Sequence, residues 1–430
     1  MKNNMKKEII ENYNYYEAKD LLTEHIQLVD TETVGLADIK GRILAEDVIA
    51  EENVPCFDRS PYDGYAFKAS DTEGADETGG VTLNVIENIR AGQVPVQRVE
   101  KGTAIRLMTG APLPEGADAI CKYEDVEEIM VSPSAVVQIN GRGSEISSIV
   151  IKSEYRPGEN VIRAGEDIRE GTVLALKGSR VDTGLIGTMA SLGITKAEVY
   201  KRPSAGIIST GDEVVDVDKE LPHGKIRNSN RYTIAAALAD MGIDSIYLGH
   251  ASDTKEEMKE LILIGEDKTD IIISTGGVSA GDYDIVPDAM EEAGYDLLVH
   301  GVGIKPGMAC AYGVKNSKLM LALSGNPASS LTNLQCVCMP ALKKLCGLSG
   351  YEHKMIRMRM KSDFNKGSRG TRFIRGRLET EDGEAVFNAA AGQGNIVISS
   401  VIGCNAYAVL QEGSGKPVSG DMIEGFLIDR

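Results

Sequence analysis

Three glycine turns, each placed after a short apolar run, carry many of the residues in this sequence that could do chemistry. The letters Ile-Ile-Ser-Thr-Gly occur twice, at residues 207–211 and 272–276, and a looser copy ends in Ser-Gly-Asn-Pro at 324–327. Glu213 follows the first turn, and the second continues through a glycine-rich segment to Asp284. Glycines let backbone N–H groups approach an anion closely, whereas carboxylates suit a divalent cation. The combination predicts a ligand that carries phosphate together with Mg²⁺.

Two charged residues near these turns have both a local and a functional interpretation. Lys305 lies in a Lys-Pro-Gly turn after an expected strand, where it is either a point charge for a phosphate or oxyanion or an ordinary exposed lysine. Asp253 stands at capping-box spacing from Glu256, which on local grounds favours a helix N-cap. The sequence around them leaves both alternatives open.

The elements that must position these turns form a repeating pattern. The apolar runs are typical of buried parallel strands, and helical patterns separate them. This order predicts a doubly wound α/β domain at residues 200–347. Loops that follow parallel strands gather at one edge of such a sheet, so the three turns should line one crevice. A helix is expected from about 328 to 345, with Pro340 bending it or ending it early.

The rest of the chain divides by texture into β and helical parts. Helical periodicity covers residues 16–47 and returns at 158–199, which predicts a discontinuous helical domain. Short β-like runs with Gly and Pro turns fill 48–157 and indicate a small inserted β domain. Residues 350–430 alternate like strands and predict a C-terminal all-β domain. The expected fold class is therefore multidomain, α/β plus β.

The inserted region holds two turn-rich segments. The aromatic segment 54–66 contains Asp58 and Asp63, which on local grounds are turn residues that bond their own backbone. The second segment, 106–118, begins as a strand and ends in a Gly/Pro loop that contains Thr109. Long ordered loops often carry function, so this loop is a candidate part of a site.

Composition excludes several classes of partner. The net charge of −18 argues against binding to nucleic acid or to an anionic membrane surface, because phosphate backbones demand clustered Lys and Arg. Seven scattered cysteines, no apolar run near the roughly 18 residues of a membrane span and no apolar core at the amino terminus predict a cytoplasmic protein. One basic cluster contrasts with the acidic whole and is either a solvated strand face or a cleft for an anion: Arg369, Arg372, Arg375 and Arg377.

Seven short segments occur in the order seen in one protein family. From about residue 16 to residue 430 the chain resembles the MoeA-type molybdopterin molybdenumtransferases, which are related to the C-terminal domain of gephyrin. One such motif is weak evidence, but seven in order are a strong signal. The segments are Pro-Tyr-Asp-Gly-Tyr-Ala at 61–66, Arg-Leu-Met-Thr-Gly-Ala at 106–111, Ala-Gly-Glu-Asp at 164–167, Ser-Thr-Gly-Asp-Glu at 209–213, Ser-Thr-Gly-Gly-Val-Ser at 274–279, Lys-Pro-Gly at 305–307 and Ser-Gly-Asn-Pro at 324–327.

The resemblance implies an activity and an assembly. The activity is insertion of molybdate into adenylylated molybdopterin, with Mg²⁺ required and AMP released, to give molybdenum cofactor. The implied assembly is an elongated four-part subunit with a MogA-like α/β domain, in a homodimer whose composite cleft combines the α/β domain of one subunit with the β insert of the other. The small-molecule substrates are then adenylylated molybdopterin and molybdate.

The resemblance also implies roles for individual residues. The reaction centre would contain Asp63, Thr109, Glu213, Asp253, Asp284 and Lys305, with Glu213, Asp253 and Asp284 as metal ligands. The molybdopterin and its phosphates would be bound by Arg163, Asp167, Ser209, Thr210, Gly211, Asp212, Ser274, Thr275, Gly276, Gly277, Ser279, Pro306, Gly307, Ser324, Gly325, Asn326 and Pro327.

Four positions depart from the family pattern. Ile162, Gly301 and Met308 stand where family members often have a basic residue, and Ser324 replaces a common proline. Fewer cations weaken the oxyanion side of the site, which leaves tungstate as a competitor of molybdate. A non-catalytic molybdopterin-binding scaffold and a pterin adenylyltransferase remain alternatives, although the two β domains favour the insertion step.

Overall fold

The computed structural model describes residues 13–130, 137–139, 142–144, 146–279 and 285–428, with only the backbone described at 137–139 and 142–144. These residues form two compact units. The larger unit takes its residues from Met1–Glu46, Lys177–Asp182 and Lys196–Arg430, and the smaller takes them from Asp47–Leu176 and Thr183–Thr195. The finer division into four domains stays a prediction.

In its described residues, the first half of the chain contains two α-helices, two short 3-10 helices and a series of short strands. Asn14 caps the first helix, since its side chain accepts from the Glu17 N–H while the Glu17 carboxylate accepts from the Asn14 N–H. The elements are α1 Tyr15–Glu24, β1 Thr31–Gly35, β2 Val48–Ile49, β3 Gly64–Phe67, β4 Val81–Ile89, β5 Thr103–Leu107, β6 Ala119–Lys122, β7 Val126–Met130, β8 Val137–Ile139, β9 Arg142–Ser144, β10 Ile146–Ile151, β11 Val173–Ala175, α2 Thr183–Ser191 and β12 Lys196–Tyr200.

The smaller unit is built on a six-stranded sheet with the order β6-β3-β5-β4-β10-β7. Tyr65, Phe67 and Leu83 are fully buried in its core. This sheet confirms the inserted β domain. The strands β2 and β11 also pair within this unit.

The helical periodicity predicted over 16–47 holds only for α1, and its continuation after residue 30 is wrong. Thr31–Gly35 instead forms β1, which pairs antiparallel with β12, and the following residues form turns that bury Ile39 and Leu44. Thr31, Thr33 and Val34 are β-branched and favour an extended backbone. The spacing of apolar residues here matches a helix, but tertiary pairing decides the structure.

The α/β domain follows and contains one of the two six-stranded sheets of the larger unit. Its elements are β13 Ser204–Thr210, β14 Val214–Val215, β15 Ile226–Arg227, α3 Ser229–Ala239, β16 Asp244–Ala251, α4 Lys255–Lys268, β17 Ile271–Thr275, α5 Val286–Glu292, β18 Asp296–His300, β19 Ile304–Lys305, β20 Cys310–Lys315, β21 Lys318–Leu323, α6 Pro327–Asn333, a π-helix at Leu334–Cys338 and α7 Met339–Leu345. The sheet order is β16-β13-β17-β21-β20-β18.

Strand register brings the three glycine turns to one sheet edge. β13 and β17 run parallel with Ser209 opposite Thr275, and β17 and β21 run parallel with Thr275 opposite Leu323. Each strand therefore ends level with its neighbour, and the turns that follow meet. The doubly wound α/β fold is confirmed.

Pro340 does not end its helix. It lies in the first turn of α7, directly after the π-helix. A proline is tolerated in the first turn because no intrahelical partner requires its missing N–H. The local change to π geometry lets the helical path continue to Leu345.

The C-terminal domain is a closed β structure. Its strands are β22 Ile356–Met360, β23 Thr371–Glu381, β24 Glu384–Ala389, β25 Ala406–Leu410 and β26 Met422–Leu427. The order β23-β24-β22-β26-β25 closes on itself because β23 also pairs with β25. β19 joins this sheet through β23, with Lys305 opposite Arg372. In the described part of the chain, no helix has the length and apolar character of a membrane span.

Candidate active site

A cavity of about 190 Å³ lies beyond the carboxyl ends of β13 and β17. Most of its walls come from the first two glycine turns, the start of α6 and the first turn of α3. Of the residues singled out in the sequence, it brings together Ser209, Thr210, Gly211, Glu213, Asp253, Thr275, Gly276, Gly277, Gly325 and Pro327. It is the crevice that the strand order predicts.

Close packing makes glycine necessary in the second turn. Gly276 has a φ of +98°, and a Cβ there would lie 2.4 Å from the Thr210 Oγ1. Its N–H donates to the Leu323 carbonyl. A Cβ at Gly325, in the third turn, would lie 3.5 Å from the Gly276 Cα. The second turn therefore lies against both the first and the third at the cavity wall, and a side chain at 276 would collide with Thr210 of the first turn.

The first turn of α3 contributes residues that the sequence did not single out as ligand-binding. Asn228 caps α3 and donates from its Nδ2 to the Ser209 Oγ at 2.9 Å. Asn230 donates from its Nδ2 to the Gly325 carbonyl at 2.9 Å, while its buried Oδ1 has no hydrogen-bond partner in the structure. An Asn-Ser-Asn run after an irregular loop was the available signal. Both asparagines join turns that are far apart in sequence.

The N-cap interpretation of Asp253 is wrong. The cap position of α4 is Thr254, whose side chain makes no capping hydrogen bond. Glu257 instead accepts from the N–H and Oγ of Ser252, at 2.8 and 2.7 Å. Asp253 lines the cavity instead.

The cavity holds two carboxylates that suit a divalent cation. Glu213 and Asp253 both line it. Among the described residues there is no group of three His, Cys, Asp or Glu side chains placed to hold a metal. Asp284, the third expected ligand, lies outside the described residues. Mg²⁺ is commonly held by one or two carboxylates with phosphate oxygens completing its shell, so this donor set fits Mg²⁺ bound together with a phosphate ligand.

The structure does not place the other expected ligand-binding residues of the α/β domain on this cavity. The Asn326 residue is the N-cap of α6, and the next two N–H groups, of Ala328 and Ser329, donate to the Asn395 carbonyl. The helix start is therefore occupied by a loop of the C-terminal domain. The residues that do not line the cavity are Asp212, Ser274, Ser279, Lys305, Pro306, Gly307, Ser324 and Asn326.

One arginine of the basic cluster is fully buried. Arg375 donates from its Nε to the Ser400 Oγ at 3.0 Å and from its Nη2 to the Gly394 carbonyl at 3.2 Å, while its Nη1 has no partner. Among the residues that the structure describes, none of its hydrogen bonds goes to a carboxylate. Burial lowers the pKa of its guanidinium. The solvated-face interpretation is wrong for Arg375, which remains a buried cation beside the loop that covers the start of α6.

The two expected site residues of the smaller unit, Asp63 and Thr109, are hydrogen-bonded to each other, and we call this pair of bonds the clasp. Asp63 Oδ1 accepts from both the N–H and the Oγ1 of Thr109, at 2.7 and 2.8 Å. These two bonds lower the pKa of the Asp63 carboxyl, with the Thr109 backbone bond as the largest cause. The local interpretation, a turn residue bonding its own backbone, is wrong for Asp63, because its partner lies 46 residues away.

Asp58 makes a second long-range contact in the same unit. It accepts from the Ala164 N–H at 2.8 Å and from the Arg163 Nη1 at 2.6 Å. Partial burial opposes its ionisation, but these bonds hold the pKa of the Asp58 carboxyl below its usual value. Its turn interpretation is wrong for the same reason. Arg163 is ion-paired within its own unit, and Asp167 donates its N–H to the Val54 carbonyl.

Three family models match the chain. They describe the MoeA N-terminal region (domain I and II) at residues 13–193, a probable molybdopterin binding domain at 206–344 and the MoeA C-terminal region (domain IV) at 357–425. The middle match covers the α/β sheet and the residues of the cavity. By fold and by site, the chain thus contains a domain of the molybdopterin-binding class.

Similar proteins match over almost the whole chain. A molybdopterin molybdenumtransferase of Bacillus subtilis (strain 168) is 34% identical, over 93% of this chain and 90% of the relative. One from Staphylococcus epidermidis (strain RP62A) is 32% identical over 96% and 94%. The crystal structure of the molybdopterin biosynthesis MoeA protein from Pyrococcus horikoshii OT3 superposes with a TM-score of 0.81 at 30% identity, covering 97% of this chain and 100% of that one. The chain belongs to the MoeA family.

Proposed function

We propose that this chain is a molybdopterin molybdenumtransferase, which inserts molybdate into adenylylated molybdopterin and releases AMP. The observation that carries the proposal is the cavity itself. Glu213, Asp253 and the Gly276–Gly277 turn line it together, within a chain similar along its length to molybdenumtransferases. Backbone donors for phosphate and carboxylates for a cation are what an adenylylated, pyrophosphate-containing substrate needs.

The cavity walls supply complementary contacts for this substrate. The Gly276 N–H already donates to the Leu323 carbonyl, so the donor that this turn offers to the phosphates is the Gly277 N–H. The unpartnered Oδ1 of Asn230 offers an acceptor to a ligand N–H such as those of a pterin. The bond from Asn228 fixes the Ser209 hydroxyl at the end of β13. These side chains therefore bind and orient the ligand.

Mg²⁺ is part of the proposal. Glu213 and Asp253 would hold it, with Asp284 as a third candidate, and when bound it neutralises negative charge on the phosphates. A cation is required there because two carboxylates would otherwise repel a pyrophosphate.

The molybdate side of the reaction needs protein cations. Lys305 supplies one, on a strand that joins the C-terminal domain through β23. Arg375, further along β23, supplies a second candidate, because a buried guanidinium with one unpartnered nitrogen and no carboxylate bond suits an oxyanion. These groups orient the oxyanion and offset its charge.

A homodimer completes the proposed site. Asp63 and Thr109 would face the α/β domain of the other subunit, as the family resemblance implies. Support comes from their mutual clasp, which holds an ionised carboxylate at the surface of the smaller unit. A cytoplasmic location belongs to the same proposal and is supported by seven free cysteines.

Two competing functions are separated by one assay. The departures at Ile162, Gly301 and Met308 remove cations and favour either tungstate or a scaffold that binds molybdopterin without turnover. Purified protein is given adenylylated molybdopterin and Mg²⁺, with molybdate, tungstate or no oxyanion, and AMP is measured. The transferase releases AMP only with an oxyanion, whereas a scaffold binds the pterin and releases none.

A further inference from the structure

The Lys-Pro-Gly turn (residues 305–307) rests on one fully buried asparagine. Asn333, the last residue of α6, is 0% exposed in a largely apolar core. Its Nδ2 donates to the Gly307 carbonyl at 2.8 Å. Its Oδ1 accepts from the Tyr312 hydroxyl at 2.5 Å and from the Cys338 Sγ at 3.4 Å. One side chain therefore joins the turn, strand β20 and the π-helix.

Steric contact reinforces this hydrogen bond. Gly307 has a φ of +107°, and a Cβ at that position would lie 3.0 Å from the Ser329 carbonyl oxygen and 3.1 Å from the Asn333 Cβ. The turn thus lies against α6 with no room for a side chain. Its position is set by the helix.

The same helix carries part of the cavity wall at its other end. Gly325 and Pro327, at the start of α6, line the cavity, and Asn333 ends the helix two turns later. The π-helix begins at the next residue and returns the Cys338 thiol to Asn333. Single π-turns inside helices are rare, and those that occur often lie at functional sites. α6 therefore lines the cavity at its start and holds the Lys-Pro-Gly turn at its end, so it sets the distance between the two.

We propose that Asn333 is a positioning residue: by holding the Gly307 carbonyl it fixes the Lys-Pro-Gly turn, and so the place of Lys305 relative to the cavity. This inference rests on the proposed function, in which Lys305 offsets the charge of the oxyanion. A polar side chain buried in an apolar core destabilises the fold unless its hydrogen bonds are made. Of the hydrogen bonds of Asn333, the one to the Gly307 carbonyl connects it to the turn that carries Lys305.

The test compares two removals of buried hydrogen bonds. Asn333→Leu removes the donor to Gly307, and Tyr312→Phe removes the hydroxyl that orients the Asn333 amide. Tyr407→Phe is the matched control, because the Tyr407 hydroxyl is also buried and its hydrogen bonds go to Gln335 in the π-helix at 2.8 Å and to Thr332 at 3.5 Å, not to the turn. For each variant we would measure hydrogen exchange over residues 302–310, thermal unfolding, and kcat and KM with molybdate.

The expected result separates positioning from general stability. Asn333→Leu speeds exchange at 302–310 and raises the KM for molybdate by about tenfold while kcat changes less, since small misplacements of a charged group are costly. Tyr312→Phe has a smaller effect in the same direction, and Tyr407→Phe has neither effect. In a Lys305→Ala background, Asn333→Leu adds no further rise in KM, because both changes remove the same interaction, that of Lys305 with molybdate.

Equal exchange at 302–310 in Asn333→Leu and Tyr407→Phe would overturn the inference, as would an unchanged molybdate KM or an additive effect in the Lys305→Ala background. If Asn333→Leu does not fold, Tyr312→Phe decides the same comparison. A wild-type protein without oxyanion-dependent AMP release overturns the proposed function instead, and the exchange measurement then decides the role of Asn333 in the turn.

Discussion

Asp63 accepts two hydrogen bonds on one carboxylate oxygen from Thr109, through its backbone N–H and its hydroxyl. The two residues come from separate loops of the smaller unit, one before β3 and one after β5. Because both bonds favour the charged carboxylate, the pKa of Asp63 is below its usual value. The clasp keeps this side chain ionised and oriented.

The clasp has a defined pH dependence. A carboxyl whose pKa is lower in the folded state stabilises the fold above its unfolded pKa of about 3.9, and this stabilisation is lost as the pH falls through the folded value. Thr109→Val removes the hydroxyl bond but keeps the N–H bond, so we expect the pKa of Asp63 to rise part of the way towards 3.9. An NMR titration of the Asp63 carboxyl carbon measures it, with Asp76 as an internal reference because its own clasp to Thr78 is untouched. An unchanged Asp63 pKa would show that the hydroxyl contributes nothing.

A composite site predicts complementation between two inactive variants. Asp63→Ala and Glu213→Ala each disable both sites of a homodimer, but a mixed dimer keeps one intact site of two. With random exchange about half of the dimers are mixed, so activity recovers to about a quarter of wild type. AMP release after mixing and subunit exchange measures the recovery. Recovery that stays at the level of the unmixed variants would place Asp63 and Glu213 in the same subunit's site.

The two cavity carboxylates should control the response to Mg²⁺. We expect Asp253→Asn to lower the rate of AMP release by about two orders of magnitude and to raise the Mg²⁺ concentration needed for half-maximal activity, because it removes one anionic ligand. Asp218→Asn is the control, since Asp218 is exposed and pairs with Lys219 outside the cavity. A Mg²⁺ titration compares them. Equal titration curves for the two variants would remove Asp253 from the metal site.

We expect the charge of Arg375 to support molybdate binding without stabilising the fold. Replacing a buried charge that lacks a carboxylate partner by an apolar side chain of similar length is often neutral or stabilising. We therefore expect Arg375→Met to keep or raise the free energy of unfolding while the KM for molybdate rises by about tenfold or more. Arg377→Met, at an exposed position paired with Glu379, should change neither. Denaturant unfolding and steady-state kinetics measure the two quantities. A destabilised Arg375→Met with normal KM would make Arg375 purely structural.

The sequence predicts the centre of this molecule well because its signal is local. The repeated Ile-Ile-Ser-Thr-Gly at 207–211 and 272–276 combines a β-branched apolar run with a glycine turn, and the structure aligns both at one sheet edge. The cavity then follows from the topology of parallel strands.

The predictions that fail depend on partners far away in the sequence. The bond from Asp63 to Thr109 spans 46 residues, and β1 at Thr31–Gly35 pairs with a strand near residue 200. Asn230 enters the cavity wall only because its amide reaches Gly325, 95 residues away. Local propensity and capping rules contain no information about such contacts, which tertiary packing alone creates.

The central claim, oxyanion-dependent transfer, is tested most directly by AMP release from adenylylated molybdopterin under single-turnover conditions. With Mg²⁺ present, we expect AMP release to rise with molybdate concentration to a plateau and to stay at background without an oxyanion. Glu213→Gln should remain at background under both conditions. AMP release that is absent, or that proceeds equally without molybdate or tungstate, would contradict the assignment.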